Sequence, residues 1–371
     1  MTGPIYTHFA NAPRLGDILA PERNSLNLMR LMLALLVLVS HSYLYLSGTP
    51  DGEPLSLSTG HALGEYAVQA FFILSGLMVA QSFCRSRSAL DFAVARGLRI
   101  FPALIVCVTL SALLLGPFVT TLSLRDYFTN GGVALYVAKT LSLSTGMAGL
   151  PGAFEDNPLS GGVNTSLWTL KYEVICYIAL AAAGLAGMFE ARWRGIVMAA
   201  LAAFIALVFY NPPVEAELFT FADNIRYFSV FFGAGVLAYL TRDRLILSGF
   251  LIAPLFAMFL ATRFGAASEI GSALFLGYLA LWASTKPFGP LRAFANRSDL
   301  SYGVYIYAGP VQQTLIHFAP GLAPATLTIA AMLITAPLAM ASWTIVERPA
   351  SRLRSVISGM LAPRRAARAG H

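Results

Sequence analysis

Charge is scarce in this chain. Only 12% of its 371 residues are Asp, Glu, Lys or Arg, against about 25% in an ordinary soluble domain. A soluble body would need more charged surface, so that class is excluded. Cysteine is equally sparse: Cys84, Cys107 and Cys176 are isolated and odd in number. They suggest neither a disulfide framework nor a metal site. No short apolar core with a small-residue cleavage site precedes residue 27, so no removable signal peptide is expected. Internal repeats and low-complexity tracts are missing too, and no soluble domain is expected after residue 345.

What abounds is apolar sequence. Hydrophobic residues make up 57% of the chain, and its mean hydropathy is +0.68. Runs of roughly 20 apolar residues are long enough to cross a bilayer as helix. About ten stand near 27–47, 62–83, 98–121, 168–188, 195–210, 225–240, 246–263, 268–284, 299–318 and 324–345. The expected fold is all-α: a polytopic integral membrane helical bundle of about ten transmembrane helices. With the amino terminus inside, that side collects 20 of the 25 Lys and Arg residues. The other keeps Arg125, Lys139, Lys171, Arg226 and Arg263. This bias predicts both termini cytoplasmic. The net charge of +7 and the pI near 9.4 then need no nucleic acid, because anionic headgroups of the inner leaflet suffice. The chain divides into a cytoplasmic segment 1–26, a transmembrane domain 27–346 and a basic cytoplasmic tail 347–371. The longest outward segment, 122–167, is expected to carry an interfacial or re-entrant helix over 127–143.

Against this background a few polar residues stand out. Arg30 and His41 share the first run, with ten uncharged residues between them. On a helix this spacing is almost whole turns, so both lie on one face, about 16 Å apart. Ionisable groups inside a span are costly and point to function. The plainer reading is an arginine snorkelling at one membrane edge and a histidine in the opposite interface. The run Phe71-Phe72-Ile73-Leu74-Ser75-Gly76 puts a small pair among aromatics, suited to close helix packing or to ligand contact at Ser75. Arg96 and Arg99, at i and i+3, share a helical face and suit a phosphate clamp. The positive-inside rule would place arginines there anyway. Trp168 fits an aromatic belt. Glu173 lies inside its span, read as near the depth of His41, where a carboxylate would orient the imidazole. Tyr302 and Tyr305 suit interface anchoring, and Glu347-Arg348-Pro349 suits a helix end.

In this order the motifs resemble the acyltransferase-3 family of polytopic membrane acyltransferases, from Asn27 to Pro349. The resemblance rests on Arg30 with His41, the 71–76 run, Arg96 and Arg99 before Pro102, and Trp168-Thr169-Leu170 with Glu173. Ser301-Tyr302 with Tyr305, and Glu347-Arg348-Pro349, complete it. It implies transfer of an acyl group, commonly acetyl, from cytoplasmic acetyl-CoA or another acyl-CoA to a hydroxyl acceptor. The acceptors include envelope glycans and other secreted molecules. Acyl-CoA would be a donor substrate and not a resident cofactor, and no metal is implied. The implied partners are acyl-CoA, a glycan or other hydroxyl-bearing acceptor, and membrane lipids, in a bacterial cytoplasmic (inner) membrane. Carried over, His41 is the essential histidine, with Glu173 beside it. Arg30, Arg96 and Arg99 match basic positions tied to donor use, and Ser75, Trp168 and Tyr302 join them as substrate contacts.

Two departures stand against the pattern. Many members have a histidine where Ala308 stands, and some carry a carboxy-terminal hydrolase-like domain where this chain has its basic tail. The rival class is a transporter or flippase whose buried charges line a substrate path. The two halves of the chain show no repetition of the kind such proteins often have.

Overall fold

The computed structural model describes residues 12–49, 52–145, 148–210, 220–264 and 267–361. Among them every regular element is a helix, and pairing between extended backbones is limited to two isolated bridges. The principal helices are α1 (Leu26–Ser47), α2 (Leu63–Arg85), α3 (Ala89–Leu110), α4 (Gly132–Leu141), α5 (Leu170–Leu185), α6 (Arg194–Tyr210), α7 (Phe221–Leu240), α8 (Ile252–Thr262), α9 (Ser268–Ser284), α10 (Ser301–Phe318), α11 (Pro324–Ser342) and α12 (Arg348–Leu361).

Among the described residues five stretches are long and apolar enough to cross a membrane: Leu26–Ser47, Leu63–Arg85, Ala89–Val119, Thr165–Leu185 and Pro324–Arg354. The other five expected runs hold the helices α6 to α10. Large apolar side chains such as Phe118, Ile178, Leu333 and Ile345 are more than half exposed, as a surface solvated by lipid requires.

Local chemistry sets the ends of α1. The Asn24 side chain accepts the Leu26 N–H at 3.1 Å. At the far end Gly48 turns left-handed, φ +76°, and its N–H returns to the Leu44 carbonyl. Only glycine fits there: a Cβ would meet the Pro158 carbonyl oxygen at 2.7 Å.

The core is built around α2, which packs against α1, α7 and α9. Where α2 meets α7 the backbones touch. A Cβ on Gly76 would lie 2.0 Å from the Phe232 carbonyl oxygen, and one on Gly235 would lie 1.9 Å from that of Ile73. Phe72 stacks on Phe228 beside this seam, with ring centroids 4.4 Å apart. Gly76 therefore serves packing, which leaves Ser75 to face elsewhere. Gly76→Ala and Gly235→Ala should each cost roughly 1–3 kcal/mol of stability by overpacking. Thermal unfolding in detergent measures it, and unchanged midpoints in both variants would refute the close seam.

One sequence expectation is corrected near the carboxy terminus. Glu347-Arg348-Pro349 does not end a helix. The chain passes through a π turn, Trp343–Glu347, in which the Arg348 N–H bonds the Trp343 carbonyl, and it continues as α12. Pro349 has no N–H to give, so an ordinary α register cannot close at this point. Within the basic carboxy-terminal segment, residues 348–361 are helical. α12 packs along α3, with both Arg354 Nε and Nη2 3.2 Å from the Asp91 carboxylate. Residues 362–371 of that tail lie outside the described residues, as do residues 1–11. The amino-terminal segment is docked as well: the Leu15 N–H bonds the Leu245 carbonyl, and the Leu247 N–H bonds that of Pro13. Within 127–143 a helix does form, α4, and it packs on α3.

Candidate active site

Polar side chains are strung through the bundle at two depths. The depths follow from helix contact. α1 and α2 lie against each other with Gly64 on Ser40, so Ser75, eleven residues along α2, stands level with Arg30.

At the inner level four charges close on one another. The Asp299 carboxylate, from the turn before α10, takes Arg30 Nη1 at 2.8 Å and Arg99 Nη2 at 2.7 Å on the same oxygen. Arg99 Nη1 reaches Glu347 at 2.9 Å. Ser301 donates to the other Asp299 oxygen at 2.6 Å, and Ser342 to the other Glu347 oxygen at 3.1 Å. The π turn supplies Glu347, whose side chain is only 2% exposed. Two cations and two anions cancel, which is the condition for burying any of them. Tyr302 lies beneath Arg99, ring centroid to guanidinium 5.6 Å, and its hydroxyl donates to the Ile100 carbonyl.

Arg96, one turn earlier, is different. Its Nη2 donates to Ser82 at 3.1 Å and its guanidinium lies 5.9 Å from the Tyr177 ring centroid. Its buried Nε has no partner, and among the described residues no carboxylate pairs with it. The two arginines that share a helical face thus have different tasks available to them. Arg99 is ion-paired with two carboxylates, whereas among the described residues Arg96 is in direct contact with none.

Beside this network, at the same level, one Glu173 oxygen accepts hydrogen bonds from Ser75 at 2.9 Å and Tyr177 at 2.5 Å. The i,i+4 spacing on α5 brings Tyr177 to it. A narrow cavity of about 50 Å³ opens here, lined by Arg30, Phe71, Ser75, Glu173, Tyr302 and Tyr305 among others.

The outer level holds His41. Its Nδ1 is 3.3 Å from Ser166 Oγ, and its ring meets Tyr45 edge-on with centroids 5.8 Å apart. Ser166 belongs to a 3-10 turn, Thr165–Thr169, that leads into α5. Here the expected His41–Glu173 pair fails. Glu173 lies two turns beyond Ser166, about 10 Å further along the axis, and bonds Ser75 and Tyr177 instead. Trp168 contacts Tyr172 and Phe228 in an aromatic cluster. Ala308 is a buried methyl packed with Leu38 and Ala331, so the histidine of other family members has no substitute at that position.

Sequence reasoning singled out His41, Glu173, Ser75, Tyr302 and the three arginines as candidates, and the structure gathers Arg30, Ser75, Glu173 and Tyr302 around one cavity. It missed Asp299, Ser166 and Tyr177. Asp299 sits directly before the quoted Leu300-Ser301-Tyr302 run, so a search for counter-ions at span ends would have flagged it.

A family model described as an acyltransferase domain matches residues 23–346. An O-acetyl transferase of Shigella phage Sf6 is 32% identical over 335 residues, which span 88% of this chain and 96% of that protein. Nodulation protein 10 of Rhizobium leguminosarum bv. viciae is 30% identical over 367 residues, 90% of this chain and 95% of that one. No solved structure matches. A match across nearly the whole bundle shows that the chain belongs to the acyltransferase-3 family of membrane O-acyltransferases.

Proposed function

We propose that this O-acyltransferase moves an acyl group, acetyl first among them, from cytoplasmic acyl-CoA to a hydroxyl of a cell-surface or secreted glycan. The proposal includes ten spans with both termini cytoplasmic, in a bacterial inner membrane. The observation that carries it is the unmatched Arg96 at one end of a polar track whose other end is His41. A phosphate-bearing donor needs a cation not already neutralised, and an acceptor hydroxyl needs a base.

In this reading Arg96 takes a phosphate of the donor through charge-assisted hydrogen bonds. Arg30 and Arg99, held by Asp299 and Glu347, keep α1, α3, α10 and the end of α11 together at the donor mouth. The pantetheine arm runs along the cavity, where Glu173 accepts an amide N–H and Ser75 lies beside it. Trp168 and Tyr302 shape the walls from behind. Glu173 then positions the donor and does not act on His41. At the outer level His41 Nε2 removes the proton of the acceptor hydroxyl as its oxygen attacks the thioester carbonyl carbon. The C–O bond forms, the C–S bond breaks, and the departing CoA thiolate takes the proton back from His41.

The test is thermal stability of the full chain in detergent with CoA. At a hundredfold excess over its dissociation constant a ligand of the folded state adds about 2.7 kcal/mol. Wild type should be stabilised and Arg96→Gln should lose that response. No stabilisation of wild type, together with proton-coupled solute uptake in vesicles, would instead mark a transporter.

A further inference from the structure

We propose that Ser166 is a positioning residue that fixes the tautomer of His41, accepting its Nδ1 proton so that Nε2 keeps the lone pair. The inference rests on the reading of His41 as the base. A neutral imidazole carries one proton on either nitrogen, and only the nitrogen without it can take a proton from a substrate. Many catalytic histidines have a carboxylate to settle this choice. Here, among the described residues, no carboxylate hydrogen-bonds His41. Its bonded partner is Ser166 Oγ, at 3.3 Å.

Burial separates positioning from a nucleophilic role. Ser166 is 2% exposed, so no substrate reaches its hydroxyl, whereas His41 is half-buried. The turn that carries Ser166 is held from several sides. Asn164 Oδ1 accepts the Ser166 N–H at 3.2 Å, while Asn164 Nδ2 donates to the Ile306 carbonyl at 2.7 Å. The Tyr305 hydroxyl donates to the Ser166 carbonyl and lies 2.6 Å from Thr169 Oγ1. On the other side the Tyr45 hydroxyl accepts the Thr165 N–H at 3.1 Å and bonds Thr165 Oγ1 at 2.9 Å. Tyr45 sits one turn after His41 on the same helix. The turn is therefore tied to the helix that bears the imidazole, and small shifts between helices leave the Ser166–His41 distance unchanged. A supporting shell of this kind is what holds a reacting group in one geometry.

The experiment uses the full chain in lipid nanodiscs with ¹⁵N-labelled histidine, the His41 signals being those lost in His41→Ala. Wild type should show a protonated Nδ1 and an unprotonated Nε2. Ser166→Ala should shift His41 toward the other tautomer or a mixture. It should also lower kcat for acetyl-CoA turnover about tenfold, the equivalent of one ordinary hydrogen bond, with KM unchanged. Ser166→Thr, which keeps the hydroxyl, should restore both readouts. Tyr305→Phe loosens the turn without touching His41 and should move both in the same direction by less, a second route should Ser166→Ala not fold. An unaltered His41 tautomer and kcat in these variants, with His41→Ala inactive, overturns the inference and spares the base. An active His41→Ala overturns the base itself.

Discussion

Replacing His41 with glutamine should abolish nearly all acyl transfer, by about 10²–10⁴-fold in kcat, the usual contribution of a general base. Glutamine keeps the volume of the imidazole and a group able to bond Ser166, so the bundle should fold with an unchanged unfolding midpoint. What it lacks is a ring nitrogen with a free lone pair to take the proton. KM for acetyl-CoA should stay the same, because the donor's phosphate is assigned to Arg96, at the other end of the polar track. The complementary variant, Arg96→Gln, should raise KM and leave much of kcat. Steady-state release of free CoA thiol separates the two. Substantial turnover in His41→Gln would show that another group takes the proton.

The second large effect concerns stability. Asp299→Ala should destabilise the protein by about 3–5 kcal/mol, the range for breaking a buried ion pair by removing one partner. Two guanidiniums share that carboxylate, at 2.8 and 2.7 Å, and its loss leaves Arg30 and Arg99 facing each other. Arg30→Ala should cost much less, because Asp299 keeps Arg99 and the network loses one peripheral member. The side chains involved are 15–21% exposed at Arg30, Arg99 and Asp299, so solvent screens them only in part. Thermal unfolding in detergent gives the comparison. Equal losses in the two variants would show that Asp299 does not bridge them.

Which parts of this arrangement were legible in the sequence follows from how far each signal reaches. Arg30 and His41 were readable because both lie on one uninterrupted helix, where spacing translates directly into depth and face. The pairing of Gly76 with Gly235 was half readable: a small residue announces a close approach but not what approaches it. The partners of the arginines were not readable, since Asp299 and Glu347 come from segments 200 and 248 residues away from Arg99. Helical periodicity says nothing about contacts between distant helices. Glu173 was placed too far out for a local reason. The 165–169 stretch forms a 3-10 turn outside α5, so the helical face begins later than the hydropathy does and Glu173 falls at the level of Ser75. Its true neighbour Tyr177, four residues on, was visible in the sequence and passed for ordinary span composition.

The π turn at Trp343–Glu347 carries one more consequence. It works as a one-residue gear between the apolar rod before it and the basic rod after it. Wound at uniform α pitch instead, the same residues would turn everything downstream by about 100°. Arg354 would swing off Asp91, and the Glu347 carboxylate would turn away from Arg99. The anchor of the carboxy-terminal helix and the charge balance at the donor mouth therefore depend on the same insertion, and neither can be retuned alone.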